Sequence, residues 1–177
     1  MSFFGEEATL FAREYAIVEA LRTAWASDVQ RFFEALHPAV DERLHEKGLD
    51  AKLSTKHSKE YRYWWIPSEV PKVGNATLWY AKEYPELIRD GQVHWSAYLD
   101  MMGAHADEAL QKAWVQLAMP ELQKLEGVSL SLGSAATFRP LKLVFRWRED
   151  PISESAPLIA DSLDILHRAI LRLGKPG

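Results

Sequence analysis

The side chains of this chain with the widest chemical range are its histidines, because imidazole can act as a general base, a proton shuttle or a metal ligand near neutral pH. A metal site needs three or more converging ligands, and these histidines show no ligand spacing. His105 and Asp107 fall at a predicted helix start, where such residues commonly act as caps. Cysteine is absent, which removes disulfides, thiolate nucleophiles and cysteine-ligated metal centres. The six histidines are His37, His45, His57, His94, His105 and His167.

Sequence motifs for other chemistries are missing as well. The chain contains no serine nucleophile elbow, no phosphate-binding glycine loop and no dinucleotide-binding fingerprint. The small residues 133–136 are predicted to form a hairpin turn. We therefore predict no catalytic residues, no metal and no cofactor, and the sequence favours a non-enzymatic protein. A hydrolase with a carboxylate–histidine site is a third class, for which no pairing assigns a general base and its orienting group.

Aromatic residues and arginines alternate in segments that have the composition of strands. Residues 61–65 are Tyr-Arg-Tyr-Trp-Trp, and residues 143–148 are Leu-Val-Phe-Arg-Trp-Arg. Because successive side chains of a strand point to opposite faces, we expect one apolar sheet face and one aromatic, basic and hydroxyl-bearing face. Arg, Tyr and Trp dominate binding hot spots, so the second face is predicted to bind a partner protein. The predicted partner-binding residues are Arg62, Trp64, His94, Tyr98, Arg146 and Arg148.

The same polar face has a structural interpretation. One side of an antiparallel sheet can face water, and arginines can lie over neighbouring aromatic rings without binding anything else. A third arrangement has a loop or helix folded over that face. An exposed Trp64 is the feature that favours a binding surface over a solvated one.

The elements that would position these side chains begin with a long amphipathic helix. It is predicted to start near Glu6 and to stop or bend at Pro38, and a second short helix is predicted from Pro38 to Gly48. The first helix is about 45 Å long at about 1.5 Å per residue, whereas five strands span only about 24 Å. The helix should therefore overhang the sheet, and a homodimer through this helix is the simplest cover. Its apolar residues recur at spacings of three and four: Phe11, Tyr15, Val18, Leu21, Trp25, Val29, Phe32 and Leu36.

The remaining pattern predicts five strands and two further helices. Residues 50–60 are polar and are predicted to be a loop or an irregular edge. The order ααβββαββα indicates an α+β fold in which a mainly antiparallel sheet of about five strands carries the long N-terminal and C-terminal helices on one face. Residues 1–177 are predicted to form a single domain. The expected strands are Tyr61–Ile66, Thr77–Glu83, Gln92–Asp100, Val128–Leu132 and Thr137–Arg148, with helices at His105–Leu125 and from Ser153–Ser155 to Gly174.

Charge and hydropathy restrict the class of partner. The formal net charge of −4 disfavours broad nucleic-acid binding, which depends on neutralising many phosphates. No stretch approaches the roughly 20 apolar residues that span a bilayer, and the N-terminus does not have the pattern of a signal peptide. We expect a cytoplasmic protein of bacterial type that has no membrane partner.

The predicted element order resembles two known families in topology. Helix, three strands, helix and strand is the core order of restriction-endonuclease-like nucleases, which need an acidic residue on the second core strand and an E-x-K-type pair on the third. The third strand here has neither glutamate nor lysine between Val93 and Leu99, so this resemblance implies a catalytically degenerate copy. The order extended by a strand and a helix resembles the small acidic chaperones of type III secretion, which are dimers that hold an unfolded partner segment.

Together these patterns predict a protein-binding or accessory module, such as a chaperone, inhibitor or adaptor, that acts through its aromatic and arginine sheet face. The alternative is a nucleic-acid-binding protein, with a degenerate restriction-endonuclease-like fold. It is supported by the stacking capacity of aromatics combined with nearby cations. The cations and the histidine that precede the first strand are Lys52, Lys56, His57 and Lys59.

Overall fold

The computed structural model contains three helices and six strands in the part of the chain that it describes. The described residues are 6–54, 61–68, 74–81, 94–102, 108–126, 128–132, 141–146 and 150–174. The α+β class is confirmed. In chain order the elements are α1 (Glu6–Glu46), β1 (Lys52–Ser54), β2 (Tyr61–Ile66), β3 (Asn75–Ala81), β4 (His94–Met102), α2 (Glu108–Leu122), β5 (Val128–Leu132), β6 (Leu141–Arg146) and α3 (Pro151–Leu173).

The sheet has the strand order β1-β2-β3-β4-β6-β5, and every neighbouring pair is antiparallel. The bounds predicted for β2 and β5 are confirmed. Strand β3 begins two residues before its predicted start and β4 ends two residues after its predicted end, while the predicted residues 82–83 and 92–93 lie outside the described residues. Strand β6 occupies 141–146 of its predicted range, of which residues 137–140, 147 and 148 lie outside the described residues. The short edge strand β1 falls in the segment predicted as a loop or an irregular edge.

Helix α1 runs for 41 residues without interruption, about 60 Å at about 1.5 Å per residue. The predicted break at Pro38 and the separate helix after it are wrong. Pro38 lies on the exposed side of the helix, while Leu36, Val40 and Leu44 on the opposite side are at most 1% exposed. Burying each of these three side chains contributes about 1.5–3 kcal/mol, which together exceeds the cost of about 3 kcal/mol for an interior proline.

The predicted end of this helical segment at Gly48 is confirmed. Gly48 has a φ of +69°, a left-handed conformation that glycine adopts without steric cost. Its N–H donates to the carbonyl of His45 at 2.8 Å, and the N–H of Leu49 donates to the carbonyl of Leu44 at 3.0 Å. These two bonds form a Schellman motif, which satisfies carbonyls that would otherwise lack a donor at the end of the helix.

Helix α3 is the centre of the core. It packs against α1 and α2 and covers β2, β3 and β4, so the N-terminal and C-terminal helices pack together. Asp150 caps its first turn by accepting the N–H of Ser153 at 3.2 Å, and Pro151 follows at the first helical position. The largest fully buried side chains, which come from α1, α2 and the sheet, are Trp64, Trp114, Phe33, Leu36, Leu44, Leu78 and Leu122.

The exposed proline inside α1 predicts a stabilising substitution. Pro38→Ala restores a backbone donor and removes no buried contact. We expect unfolding by urea to cost about 2 kcal/mol more, because an interior-helix cost of about 3 kcal/mol is partly offset by about 1 kcal/mol of lost rigidity in the unfolded chain. The control is Pro151→Ala at the first position of α3, where no helical hydrogen bond is gained. Equal effects of the two substitutions would contradict this account of α1.

Candidate functional site

Trp64, the aromatic residue that the sheet-face hypothesis needed on the surface, is fully buried at 0% exposure. Its indole Nε1–H donates to Oδ1 of Asp41 on α1 at 3.2 Å. Its ring also meets the edge of His37, with 5.5 Å between ring centroids and 82° between planes. The predicted exposure of Trp64 and its role in direct partner contact are therefore wrong, because α1 covers this residue.

The error at Trp64 concerns which alternate side chains of β2 face the helices and which face away from them. Trp64 pairs with Leu78, which pairs with Leu99, so all three positions lie on the core face of the sheet. Alternation puts positions 62 and 66 on that same face, and Ile66 is indeed buried. The side chain of Arg62 itself is not among those described, and its predicted role in partner binding stays a prediction. Ile66 was the available signal, because an aliphatic residue two positions from Trp64 indicates a shared apolar face.

Three of the predicted positions do share the outer face. His94 pairs directly with Arg146, and Tyr98 lies four residues further along β4, which returns it to the same face. Two other residues of this face, Tyr63 and Thr77, are only 7% and 0% exposed, so the outer face is not uniformly open to solvent. Of the other predicted residues, Arg148, Lys56, His57 and Lys59 lie outside the described residues.

The uninterrupted α1 brings His37, Asp41 and His45 onto one face, each a helical turn from the next. Asp41 and His45 line a surface cavity of about 430 Å³ together with residues 48–51. Partial desolvation of the Asp41 carboxyl raises its pKa, and the hydrogen bond from Trp64 lowers it to a smaller extent. Among the described residues, the row of His37, Asp41 and His45 comes closest to a carboxylate–histidine site. The Asp41 carboxylate is engaged by the indole, however, and no group of three or more potential metal ligands occurs among the described residues.

The largest exposed apolar surface within the described ranges lies on the N-terminal half of α1. Wherever a side chain is described between residues 10 and 28 it is exposed, apart from the half-buried Glu19. Leu21 alone is 65% exposed. The predicted overhang of the helix is therefore confirmed. We call its large apolar side chains the α1 stripe: Leu10, Tyr15, Ile17, Val18, Leu21 and Trp25.

The α1 stripe continues the face of the helix that forms the core further along. In helical rotation, Val18 and Trp25 lie on the same side as Val29, Phe32 and Leu36, which are at most 5% exposed. One apolar face thus runs the length of α1 and changes from exposed to buried at Val29. Glu14 and Arg22 lie one turn before and one turn after Val18 on this face, and both are exposed.

Comparison with known proteins adds no family or relative. No protein-family model matches the chain, and searches of curated proteins and of solved structures find no match. In the described ranges, no helix has both the length and the apolar character that a membrane crossing requires.

The burial of Trp64 predicts a structural role that substitution can separate from a surface role. Trp64→Ala should lower the free energy of unfolding by about 3–5 kcal/mol, because it leaves a large cavity and removes the donor to Asp41. The matched control is Trp65→Ala on the opposite face of the same strand. Trp65 is half-buried beneath the Lys52 ammonium, with 5.5 Å between Nζ and the ring centroid, and its loss should cost clearly less. Denaturant unfolding measures both, and equal losses would contradict the assigned phase of β2.

The raised pKa of Asp41 predicts how stability depends on pH. The folded state holds this proton more tightly than the unfolded state does, so the stability linked to Asp41 is present below its ordinary pKa and is lost as the pH rises through the raised value. Asp41→Asn keeps an oxygen acceptor for Trp64 and removes the charge. The stability of the variant relative to wild type should therefore rise as the pH increases from below the ordinary pKa of an aspartate through the raised value.

A control of opposite sign is Asp150→Asn, measured by the same urea titrations. Hydrogen bonds from Ser153, the largest cause, lower the pKa of Asp150, so its contribution is present above its ordinary pKa and is lost on acidification. The relative stability of Asp150→Asn should fall as the pH rises. Parallel trends in the two variants would refute the assignment at Asp41.

Proposed function

We propose that this protein is a non-enzymatic protein-binding module whose docking surface is the α1 stripe. The observation that carries the proposal is that six large apolar side chains on one face of a projecting helix are 37–65% exposed. An apolar helical face that lies against another protein surface is a recurring mode of protein recognition. The proposal keeps the binding class predicted from sequence and moves its surface from the sheet to the helix.

The size of the exposed surface supports this choice. From their exposed fractions, the six side chains together offer roughly 600 Å², which is at the upper end of the largest apolar patch found on typical monomers. Scattered single apolar residues on a surface need no explanation, but a continuous helical face of this size indicates an interaction site.

The stability of the helix supports it as well. The projecting segment of residues 6–28 is about 35 Å long at about 1.5 Å per residue, and over most of that length it does not pack on the core. Most helical stability in proteins comes from packing of the apolar face, and over most of this segment that contribution is missing. A bound protein would supply that packing.

Charge distinguishes a protein partner from a nucleic acid at this surface. Residues 6–28 contain five acidic residues and two arginines, a formal charge of −3. A phosphate backbone is bound by surplus cations, so this segment is unsuited to nucleic acid. A protein surface with an apolar centre and a mixed-charge rim fits it.

The test is a substitution in the α1 stripe that leaves the core untouched. Leu21→Glu places a charge at the centre of the stripe and should abolish retention of protein partners, from a cell lysate or as untagged copies, by the tagged chain. Its thermal unfolding should shift by no more than a few degrees, because Leu21 contributes little to the folded core. The matched control is Ala16→Glu, which adds the same charge to the exposed opposite side of the same helix. Equal retention by wild type and Leu21→Glu would refute the proposal.

A further inference from the structure

We infer that the occupant of the α1 stripe is a second copy of this chain, whose α1 runs antiparallel to the first about a two-fold axis that passes near Val18. This inference rests on the proposed function and names the partner. A two-fold interface is self-complementary: wherever residue i of one copy contacts residue j of the other, j also contacts i.

Charge on α1 favours this arrangement. Glu14 and Arg22 stand symmetrically around Val18, four residues before and four residues after it. An antiparallel pair centred on Val18 sets Glu14 of each copy against Arg22 of the other, so two opposite-charge pairs form at once. A parallel pair would set Glu14 against Glu14 and Arg22 against Arg22. The present partner of Arg22 is Glu19, at 3.6 Å in an exposed pair, and such pairs are weak enough to exchange.

The length of the projecting segment agrees with a two-fold axis near Val18. With Val18 at the centre, residue 6 of one copy lies opposite residue 30 of the other. The overlap therefore covers the segment from the start of α1 to the point where burial begins at Val29. Each N-terminal half ends where the core of the other copy starts, and the paired segment matches the exposed one.

The area matches what a stable dimer needs. Two stripes of roughly 600 Å² each remove about 1,200 Å² of surface when they face one another, and specific interfaces begin at about that size. Glu14 and Arg22, which lie on the same face, add to this value. The contact joins Val18 to Val18 at the axis, with Tyr15 of each copy beside Leu21 of the other.

The first measurement is the mass of the full chain by sedimentation equilibrium between about 1 and 100 μM, a range that brackets ordinary dimer affinities. We expect a species of twice the 20.2 kDa chain mass. Leu21→Glu should weaken self-association about a hundredfold, since each dimer then buries two unpaired charges, while Ala16→Glu should leave it unchanged. Circular dichroism of each variant checks that the fold is retained.

A charge exchange tests the predicted register. Glu14→Arg and Arg22→Glu should each weaken the dimer roughly tenfold, because either change makes both pairs repulsive, and the double variant should recover wild-type affinity. Arg31→Glu is the control, because Arg31 is exposed on a different side of α1. Failure of the double variant to recover affinity would overturn the register about Val18.

The distance between two spin labels tests whether the paired helices run antiparallel. Because the chain has no cysteine, Ser27→Cys carries a single spin label on the exposed side of α1. The two labels of an antiparallel dimer should lie about 27 Å apart along the helix axis, from 18 residues at about 1.5 Å each. A parallel dimer would set the two labels level with each other along the axis, separated only across the helix pair, and that shorter distance would overturn the inference.

Failure of the inference and failure of the proposed function give different results. A chain that stays monomeric at about 100 μM, but retains another protein in a manner that Leu21→Glu abolishes, overturns the second copy and leaves the docking surface. A monomer whose retention of protein is the same in wild type and Leu21→Glu overturns both. A dimer that Leu21→Glu dissociates and Ala16→Glu does not supports both.

Discussion

The structure depends on the burial of Trp64 between the sheet and α1. This side chain joins the two layers, since its indole N–H reaches Asp41 and its ring meets His37, both on the same helical face. A buried tryptophan needs a partner for its N–H, and a carboxylate at the edge of the core satisfies that need. Once Trp64 points toward α1, alternation directs the neighbouring positions of β2, and the register extends the same phase to β3, β4 and β6.

The contact with Trp64 also separates the two halves of α1. Beyond Val29 the helix is supported by α3 and by Trp64, and its apolar face is buried. Before Val29 the same face continues with the same spacing and is exposed. A sequence that keeps an apolar helical face over some twenty further residues is stable in water only when that face is covered, because a solvated helix gains little from its own hydrogen bonds. This is the physical ground for the docking surface that we propose on the exposed half.

The fold was largely predictable where aliphatic and polar residues alternate. The apolar phase of β5 follows from Val128, Leu130 and Leu132, and its register with β6 agrees with that phase. Prediction failed at β2, because both of its alternating sets of side chains contain aromatic residues. Composition therefore does not distinguish the core-facing set from the other. It failed at Pro38 because helix propensity is a local property, whereas the buried side chains on either side of that proline hold the helix through contacts distant in sequence. The overhang of α1 was predictable from length alone.

We propose the site on the helix and not on the predicted sheet face, again because contacts distant in sequence decide which side chains are exposed. A recognition surface needs area that solvent can reach, and Trp64 had the right chemistry without the exposure. Leu21 and Val18 have less distinctive chemistry, but they are exposed on a face that extends over about four turns of helix, from Leu10 to Trp25. In the pairing that we infer, these aliphatic side chains supply the area that gives affinity, while Glu14 and Arg22 contribute mainly orientation, because charge pairs of this kind select register more than they add free energy. The acidic and basic residues around Val18 therefore explain how a plain apolar face can specify one alignment among many.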